Sequence, residues 1–335
     1  MDYSVIGINS GLGVSLFPFK DKVICNVEIR GIFHTKRDEQ WKLNFGNVPL
    51  IKKLTDEFPK ADVLISSPDC GSGSILRYSR SKELGDHLKN HSLMLFFVGV
   101  RKIQPKFFYF ENLETLFKSF PKERFVDLLR DYRLIEHIAP VSNWGNSQIN
   151  RKRLVVIGIR RDLPKKIDKY FKLPHYEDQI RFCNEIYGDL EAEKPDICHV
   201  RENYEEFISI HAKKKMRLID IQADWTGRLK GKKRWITEPG FNFSTAPGVY
   251  RNLKHDYPAT ARKANRQFDH NGLTLTPRQL ARIQGVPDEF LLYYDDTKSK
   301  YCINKARCVV TKTPPMEISI WFKRKLEKAL KKLSQ

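Results

Sequence analysis

The stretch Ala61–Ser74 reads ADVLISSPDCGSGS. Its first half is an apolar run that carries no charge between Asp62 and Asp69, a pattern that predicts a short strand buried on both faces. Strands of that kind belong to parallel sheets covered by helices, and such sheets bind ligands at the carboxyl ends of their strands. Its second half is small and flexible, and Cys70 stands just where the strand gives out, in a loop too small-residued to bury it. A free thiol has a pKa of about 8.5, so a nucleophilic role for Cys70 requires donors or cations nearby.

The surrounding chain repeats the pattern. SVIGIN (Ser4–Asn9), KVICNVE (Lys22–Glu28), KFFYFEN (Lys106–Asn112) and RLVVIGI (Arg153–Ile159) read as further buried strands. NVPLIKKLTDEF (47–58), LKNHSLMLFFVGVRKI (88–103) and ERFVDLLRDYR (123–133) read as helices between or after them. Alternating strands and helices predict an α/β fold with a mainly parallel, Rossmann-like sheet. From about Arg160 to Gln267 the alternation is lost and aromatic residues are scattered among basic clusters. A helical signal returns at TPRQLARIQG (Thr276–Gly285), and the chain closes on the basic amphipathic stretch MEISIWFKRKLEKALKKL.

Composition sets outer bounds. The 335 residues carry 60 Lys+Arg against 40 Asp+Glu, a net charge of +20, which favours a polyanionic partner. Between 201 and 270 there are 15 basic and 8 acidic residues, and RLKGKKR (Arg228–Arg234) is the densest run. Such a run is ordinarily a solvated loop; its alternative is phosphate contact through Arg228, Lys230, Lys232, Lys233 and Arg234. The closing basic helix reads first as a solvated helix packed by its apolar positions. The six cysteines form no C-x-x-C pair and no zinc spacing, so reduced thiols and no metal site are expected. No run is apolar enough to span a membrane. The N-terminus enters an apolar segment without a basic leader, so no secretion signal is expected.

Chemistry is expected at the strand ends. VIGINSGLG (Val5–Gly13) supplies a glycine turn that would let a nucleotide approach backbone amides. Glu28 ends the second strand, where an acid can accept bonds from ribose hydroxyls, and Asp62 opens the third. Glu111 and Asn112 end the fourth, where a partly desolvated carboxyl can carry a proton. Arg151 and Arg153 alternate onto one face and could fix a carboxylate and a polar base edge.

In order and spacing these pieces resemble the DNA cytosine-5 methyltransferase family. The most specific match is LTLTPRQLARIQGVPDEF (Leu273–Phe290), supported by ENL (Glu111–Leu113) and RKRLVVIG (Arg151–Gly158). The resemblance implies transfer of a methyl group from S-adenosylmethionine to C5 of a flipped-out cytosine in double-stranded DNA. Cys70 would be the nucleophile at C6, Glu111 the acid at N3, Arg153 its partner at the base and Arg151 a structural partner. Ser74 would lie near the flipped nucleotide's phosphate. Val5, Gly7, Ser10, Glu28, Asp62 and Pro68 would surround the cofactor. The implied domains are a catalytic domain over 1–164, a target-recognition domain over 165–268 and a segment over 269–335 returning to the first. A cytoplasmic, nucleoid-associated monomer in a bacterial or phage-infected cell is implied too.

The sequence departs from the family pattern at several points. Asp69 and Gly71 flank the cysteine in place of proline and glutamine, and a carboxylate beside a thiol disfavours the thiolate. Asn9 and Ser10 replace two glycines, Val5 replaces phenylalanine, Gln148 precedes Arg151 by three positions rather than two, and VVTKTPP (Val309–Pro315) lacks Gly-Asn. Two alternatives stand beside the methylating enzyme: a DNA-binding homologue with weakened or silent catalysis, and a tRNA cytosine-5 methyltransferase. The Cys-Phe-Thr signature of the tRNA branch is absent.

Overall fold

The computed structural model describes residues 2–28, 37–52, 58–68, 91–190, 275–292 and 310–335, with short pieces at 250–251, 255, 257–258, 260–261 and 267–268. The chain divides into two compact units. The first comprises Met1–Trp144, Lys152–His175 and Pro314–Gln335; the second comprises Gly145–Arg151 and Tyr176–Thr313. The chain therefore rejoins the first unit at Pro314, and the stretch around Pro277–Ile283 belongs to the second.

The first unit is built on one sheet. Its strands are β1 (Val5–Ile8), β2 (Val23–Val27), β3 (Leu50–Ile51), β4 (Val63–Ser66), β5 (Phe107–Asn112), β6 (Tyr132–Pro140) and β7 (Lys152–Arg160), in the spatial order β3-β2-β1-β4-β5-β7-β6. The first five in that order run parallel, and β7 pairs antiparallel with both β5 and β6. Helices α1 (Arg37–Phe45), α2 (His91–Ile103) and α3 (Lys122–Leu128) lie between strands, and α6 (Met316–Leu333) closes the chain.

Strand β5 explains why the sheet is covered on both sides. Its six residues are all buried, and they alternate. Phe108 and Phe110 meet Phe96 of α2, with ring centroids 5.4 and 4.7 Å apart. Phe107 and Tyr109 point the other way, to Phe171 at 5.9 Å and to Phe322 of α6 at 5.4 Å. Close approach is bought at Gly158 on β7, where a Cβ would sit 1.9 Å from the Phe108 ring. The buried residues of α6, among them Ile318, Trp321, Phe322, Leu326 and Ala329, recur every three or four positions and form its inner stripe.

Several sequence expectations need correction. NVPLIKKLTDEF does not begin as a helix: Leu50–Ile51 is a strand on Asn26 and Val27, and positions 53–57 lie outside the described residues. ERFVDLLRDYR is helical only to Leu128, because Tyr132 opens β6, an edge strand whose intermediate burial gave no clear period-two signal. Helix α1, whose mean hydropathy is low, was not anticipated. Its Trp41 and Phe45 nevertheless carry its packing, as described below.

The described part of the second unit contains α4 (Cys183–Tyr187), the short pair β8 (Tyr250–Arg251) and β9 (Gln267–Phe268), and α5 (Pro277–Ile283). Helix α5 starts with a reciprocal cap: Gln279 N donates to Thr276 Oγ1 at 3.1 Å and Thr276 N donates to Gln279 Oε1 at 2.9 Å. It stops at Gly285, whose φ of +70° continues the turn as glycine permits. Buried Arg278 then donates to the carbonyls of Pro287 and Phe290.

Candidate active site

Three groups of residues stand at the carboxyl ends of the parallel strands of the first unit. The first is the turn after β1. Asn9 takes a left-handed φ of +53°, a conformation that asparagine tolerates better than most residues. Its N–H donates to Val27 O at 2.9 Å and its Nδ2 to Ser92 O at 2.6 Å, which ties the turn to β2 and to the first turn of α2. Gly13, at φ +84°, is overlaid by an aromatic pair. Trp41 and Phe45 stack at 4.0 Å, and a Cβ on Gly13 would lie 2.5 Å from the Phe45 ring. Trp41 is itself held by Nε1 donating to Val48 O at 2.6 Å.

Within that turn the Gly11 N–H donates to Glu28 Oε2 at 2.9 Å, and Glu28 is only 6% exposed. The Glu28 N–H donates to Ile51 O at 2.9 Å. The two-residue strand β3 thus fixes the acid's backbone while the glycine turn fixes its carboxylate.

The second group is the segment leaving β4. Ser67 Oγ lies 3.4 Å from Ser15 Oγ, which joins this segment to the chain just after the glycine turn. Asn112 Nδ2 donates to Pro68 O at 3.2 Å, and Asn112 Oδ1 accepts from Leu113 N at 2.9 Å, which orients the amide. The chain is therefore pinned two residues before Cys70. Cys70 itself, with Asp69, Gly71 and Ser74, lies outside the described residues, as do Arg228, Lys230, Lys232, Lys233 and Arg234.

The third group spans β5 and β7. Glu111 pairs in register with Val155, so Arg153, two residues earlier on β7, is its diagonal neighbour on the same face. Arg153 Nε lies 2.8 Å from Glu111 Oε1, with the two side chains 14% and 8% exposed. Arg153 also donates to Lys152 O at 2.8 Å. Tyr109 sits on that face two residues before Glu111. Its hydroxyl has no hydrogen-bond partner among the described residues, and burial, reinforced by the Glu111 charge, holds its pKa well above the ordinary value.

Three expected cofactor residues are not brought to this edge. Val5 is at the opposite end of β1, buried between Val23 and Val63. Gly7 is inside β1 rather than in the turn, where a Cβ would meet Leu16 Cδ1 and Asn26 Oδ1 at 2.4 and 2.5 Å. The turn glycines are Gly11 and Gly13. Asp62 precedes β4 and so stands at its amino end, accepting from Ser4 N at 3.1 Å and pairing with Lys106 at 2.8 Å. Desolvation alone would raise its pKa, but the Lys106 and Ser4 bonds outweigh it and hold the carboxyl below its usual value. Ser10, Glu28 and Pro68 are at the carboxyl edge. Asn9, Gly11, Gly13 and Asn112 join them; their signal lay in NSGLG and in the amide that ends KFFYFEN.

Arg151 belongs to the second unit and is 1% exposed. It donates to Gln284 Oε1 at 2.7 Å, Gln148 Oε1 at 3.2 Å and Thr313 O at 3.0 Å. Gln148 donates in turn to Asn146, to Ile283 O and to Gln284, and accepts from Ala261 N at 2.8 Å. The three-residue spacing from Gln148 to Arg151 is that of a turn closed by Arg151 N donating to Gln148 O at 2.8 Å.

A mainly parallel sheet, a glycine turn engaging an acid at the end of the next strand, and a buried carboxylate–guanidinium pair two strands away define a Rossmann-like methyltransferase. The chain belongs to the C-5 cytosine-specific DNA methylase family, whose model matches residues 24–311. It is 26% identical over 279 residues to the type II methyltransferase M.FnuDI of Fusobacterium nucleatum, covering 75% of each chain. It is 22% identical over 322 residues to the type II methyltransferase M.MthTI of Methanothermobacter thermautotrophicus, covering 92% of this chain and 91% of that one. Among solved structures, a variant of Spodoptera frugiperda DNMT2 shares the fold with a TM-score of 0.63 at 13% identity, covering 97% and 99% of the two chains. The protein is a DNA (cytosine-5) methyltransferase with S-adenosylmethionine as its methyl donor.

The carboxyl edge fits that donor. Glu28 presents a buried carboxylate suited to ribose hydroxyls, and a Cβ at Gly11 in the Asn9–Gly13 turn would meet nothing within 4 Å among the described residues. Ser10 Oγ and Ser66 Oγ are buried there without a hydrogen-bond partner among the described residues. No helix among the described residues is long and apolar enough to cross a membrane, and no group of His, Cys, Asp and Glu among them could hold a metal ion.

Proposed function

We propose that the chain methylates C5 of a cytosine flipped out of double-stranded DNA, through a covalent bond between Cys70 and C6. The observation that carries this reading is the Arg153–Glu111 pair, 2.8 Å apart at the edge where Asn112 holds the chain two residues before Cys70. C5 of cytosine is a poor nucleophile until its ring is activated. The Cys70 thiolate adds to C6, Glu111 holds a proton at N3, and the displaced electron pair makes C5 an enamine carbon. Bound S-adenosylmethionine supplies the methyl group that C5 takes. Loss of the C5 proton to solvent water then re-forms the C5–C6 double bond and expels Cys70 as the thiolate.

Arg153 orients the Glu111 carboxyl and contacts the base. Arg151 is a structural partner that holds its own turn through Gln148, Gln284 and Thr313. Glu28, Ser10, Pro68 and the Asn9–Gly13 turn hold the donor. Ser74 and the Arg228–Arg234 run contact phosphates, and the part of the 165–268 region that belongs to the second unit, from Tyr176 onward, reads the target. A duplex base must leave its stack to reach a thiol, at a cost of a few kcal/mol. The chain acts as a monomer in the cytoplasm, on the nucleoid.

The test is transfer of labelled methyl from S-adenosylmethionine to mixed-sequence duplex DNA, with tRNA as control substrate and Cys70→Ala as blank. Label in DNA cytosine that vanishes in Cys70→Ala, with DNA affinity kept, is expected. Label retained in Cys70→Ala rules out the covalent route, and label in tRNA alone rules out the duplex.

A further inference from the structure

Three segments distant in the chain converge around one buried ring. Phe322 of α6 lies 6.1 Å from Phe19, in the 3-10 turn Phe17–Lys22, and 6.0 Å from Phe171, in the 3-10 turn Lys165–Phe171. Lys323 Nζ donates to Pro18 O at 2.7 Å and fastens the first contact. Residues 17–22, 165–172 and 316–333 together hold 12 Lys+Arg against 4 Asp+Glu, a net of +8. Fewer than a tenth of the residues thus carry two fifths of the chain's excess charge of +20.

Most of the cations face water rather than acids; Lys22 pairs with Asp2 at 3.3 Å and Lys323 lies 4.0 Å from Glu327. Lys165, Lys166, Lys169, Arg324, Lys328 and Lys331 are all exposed. The acids nearby are largely engaged: Asp168 pairs with Arg133 at 2.8 Å, and Glu327 accepts from the Tyr3 hydroxyl at 3.2 Å. Favourable placement of lysines against the α6 dipole accounts only for its last turn. It does not account for the lysines of the 165–172 segment. Unneutralised cations on adjoining elements repel one another and stay together at a cost that a polyanion would relieve.

We infer that this face is a second contact surface for the phosphate backbone of duplex DNA, on the outer side of α6 and apart from the carboxyl-edge residues. The inference rests on the proposed reading of duplex DNA as substrate and extends it to a sequence-independent contact. Backbone contacts hold register and speed the search for a site without reading bases. A duplex is chosen over an anionic membrane because the chain already takes DNA as its substrate.

The experiment uses the full chain and two charge-reversed variants: Lys328→Glu with Lys331→Glu, and Lys165→Glu with Lys166→Glu and Lys169→Glu. Binding to a fluorescent mixed-sequence duplex is followed against salt. Each phosphate contact contributes roughly 0.9 to the slope of log K against log salt. The expected result is a slope shallower by about two in either variant, with kcat on saturating target DNA unchanged. Unchanged slopes in both variants, with methyl transfer intact in the wild type, overturn the surface and leave the proposed reaction standing. Binding of the wild type to phosphatidylserine vesicles that both variants lose, with unchanged DNA slopes, overturns it in favour of a lipid surface. Wild-type protein that neither binds duplex nor methylates it removes both.

Discussion

Arg153 Nε and Glu111 Oε1 lie 2.8 Å apart as a diagonal pair across antiparallel strands β7 and β5. Two features make this pair more than a surface salt bridge: both side chains are largely buried, and both strands are held along their length by the sheet ladder. Removing one partner leaves the other charge in low dielectric, which typically costs about 3–5 kcal/mol in such pairs. Replacing Glu111 by Gln is expected to lower the single-turnover methylation rate by about 10²–10⁴-fold, the range of a lost acid–base group. Arg153→Lys should fall by at least about tenfold, since an ammonium cannot reproduce the planar guanidinium contact. Rapid-quench methyl transfer checks both, and near-wild-type rates would remove the pair from the chemistry.

The glycine turn makes two separable predictions. Glu28→Ala is expected to raise the KM for S-adenosylmethionine at least about tenfold with a smaller change in kcat, because Glu28 is a binding group. Gly13→Ala forces a left-handed alanine, at roughly 1–2 kcal/mol, and drives a methyl group into the Phe45 ring, at about 1–3 kcal/mol more. Thermal unfolding should register the second change, and donor titration the first.

Asn112→Ala would leave the buried Pro68 carbonyl without its donor, a loss of about 1–3 kcal/mol. The segment it releases leads to Cys70, so kcat should fall while the KM for S-adenosylmethionine stays within about threefold. Steady-state kinetics in both substrates decide it.

Arg151→Met removes the donor for Gln148 Oε1, Gln284 Oε1 and Thr313 O. A loss of about 3–5 kcal/mol in unfolding free energy is expected. Denaturant melts measure it. A variant of unchanged stability would show that the hydrogen-bonded cluster contributes little.

His137 gives a pH prediction. Burial lowers its pKa below the ordinary 6.5, only partly offset by Nε2 donating to Phe171 O at 2.7 Å. The fold thus favours the neutral ring. The stability it contributes is complete above the unfolded pKa and is lost as pH falls through the lower folded value. Melting points of wild type and His137→Gln should run parallel above about pH 7, and the wild type should drop more steeply below about 6.5.

Much of the fold was legible in short segments. KFFYFEN and RLVVIGI are buried on both faces, so every residue had to be apolar or a strand-end functional group, and the pattern announces itself. Glu111 and Arg153 were legible for the same reason, as polar residues surviving at the ends of such runs. Strands β3 and β6 were not, because one has two residues and the other lies at the sheet edge with mixed burial. Helix α1 was hidden by its polar composition, although Trp41 and Phe45 are the residues that overlay Gly13.

By itself, then, the sequence determined the sheet class and placed Glu111 and Arg153 at strand ends, since continuous apolar runs buried on both faces and the polar residues that end them are local properties. Which glycines make the turn, which end of β4 Asp62 occupies and what Arg151 holds were decided only by tertiary structure. Those outcomes depend on hydrogen-bond partners 17 to 162 residues away, Glu28 for Gly11 and Thr313 for Arg151, and no local pattern encodes a partner at that distance.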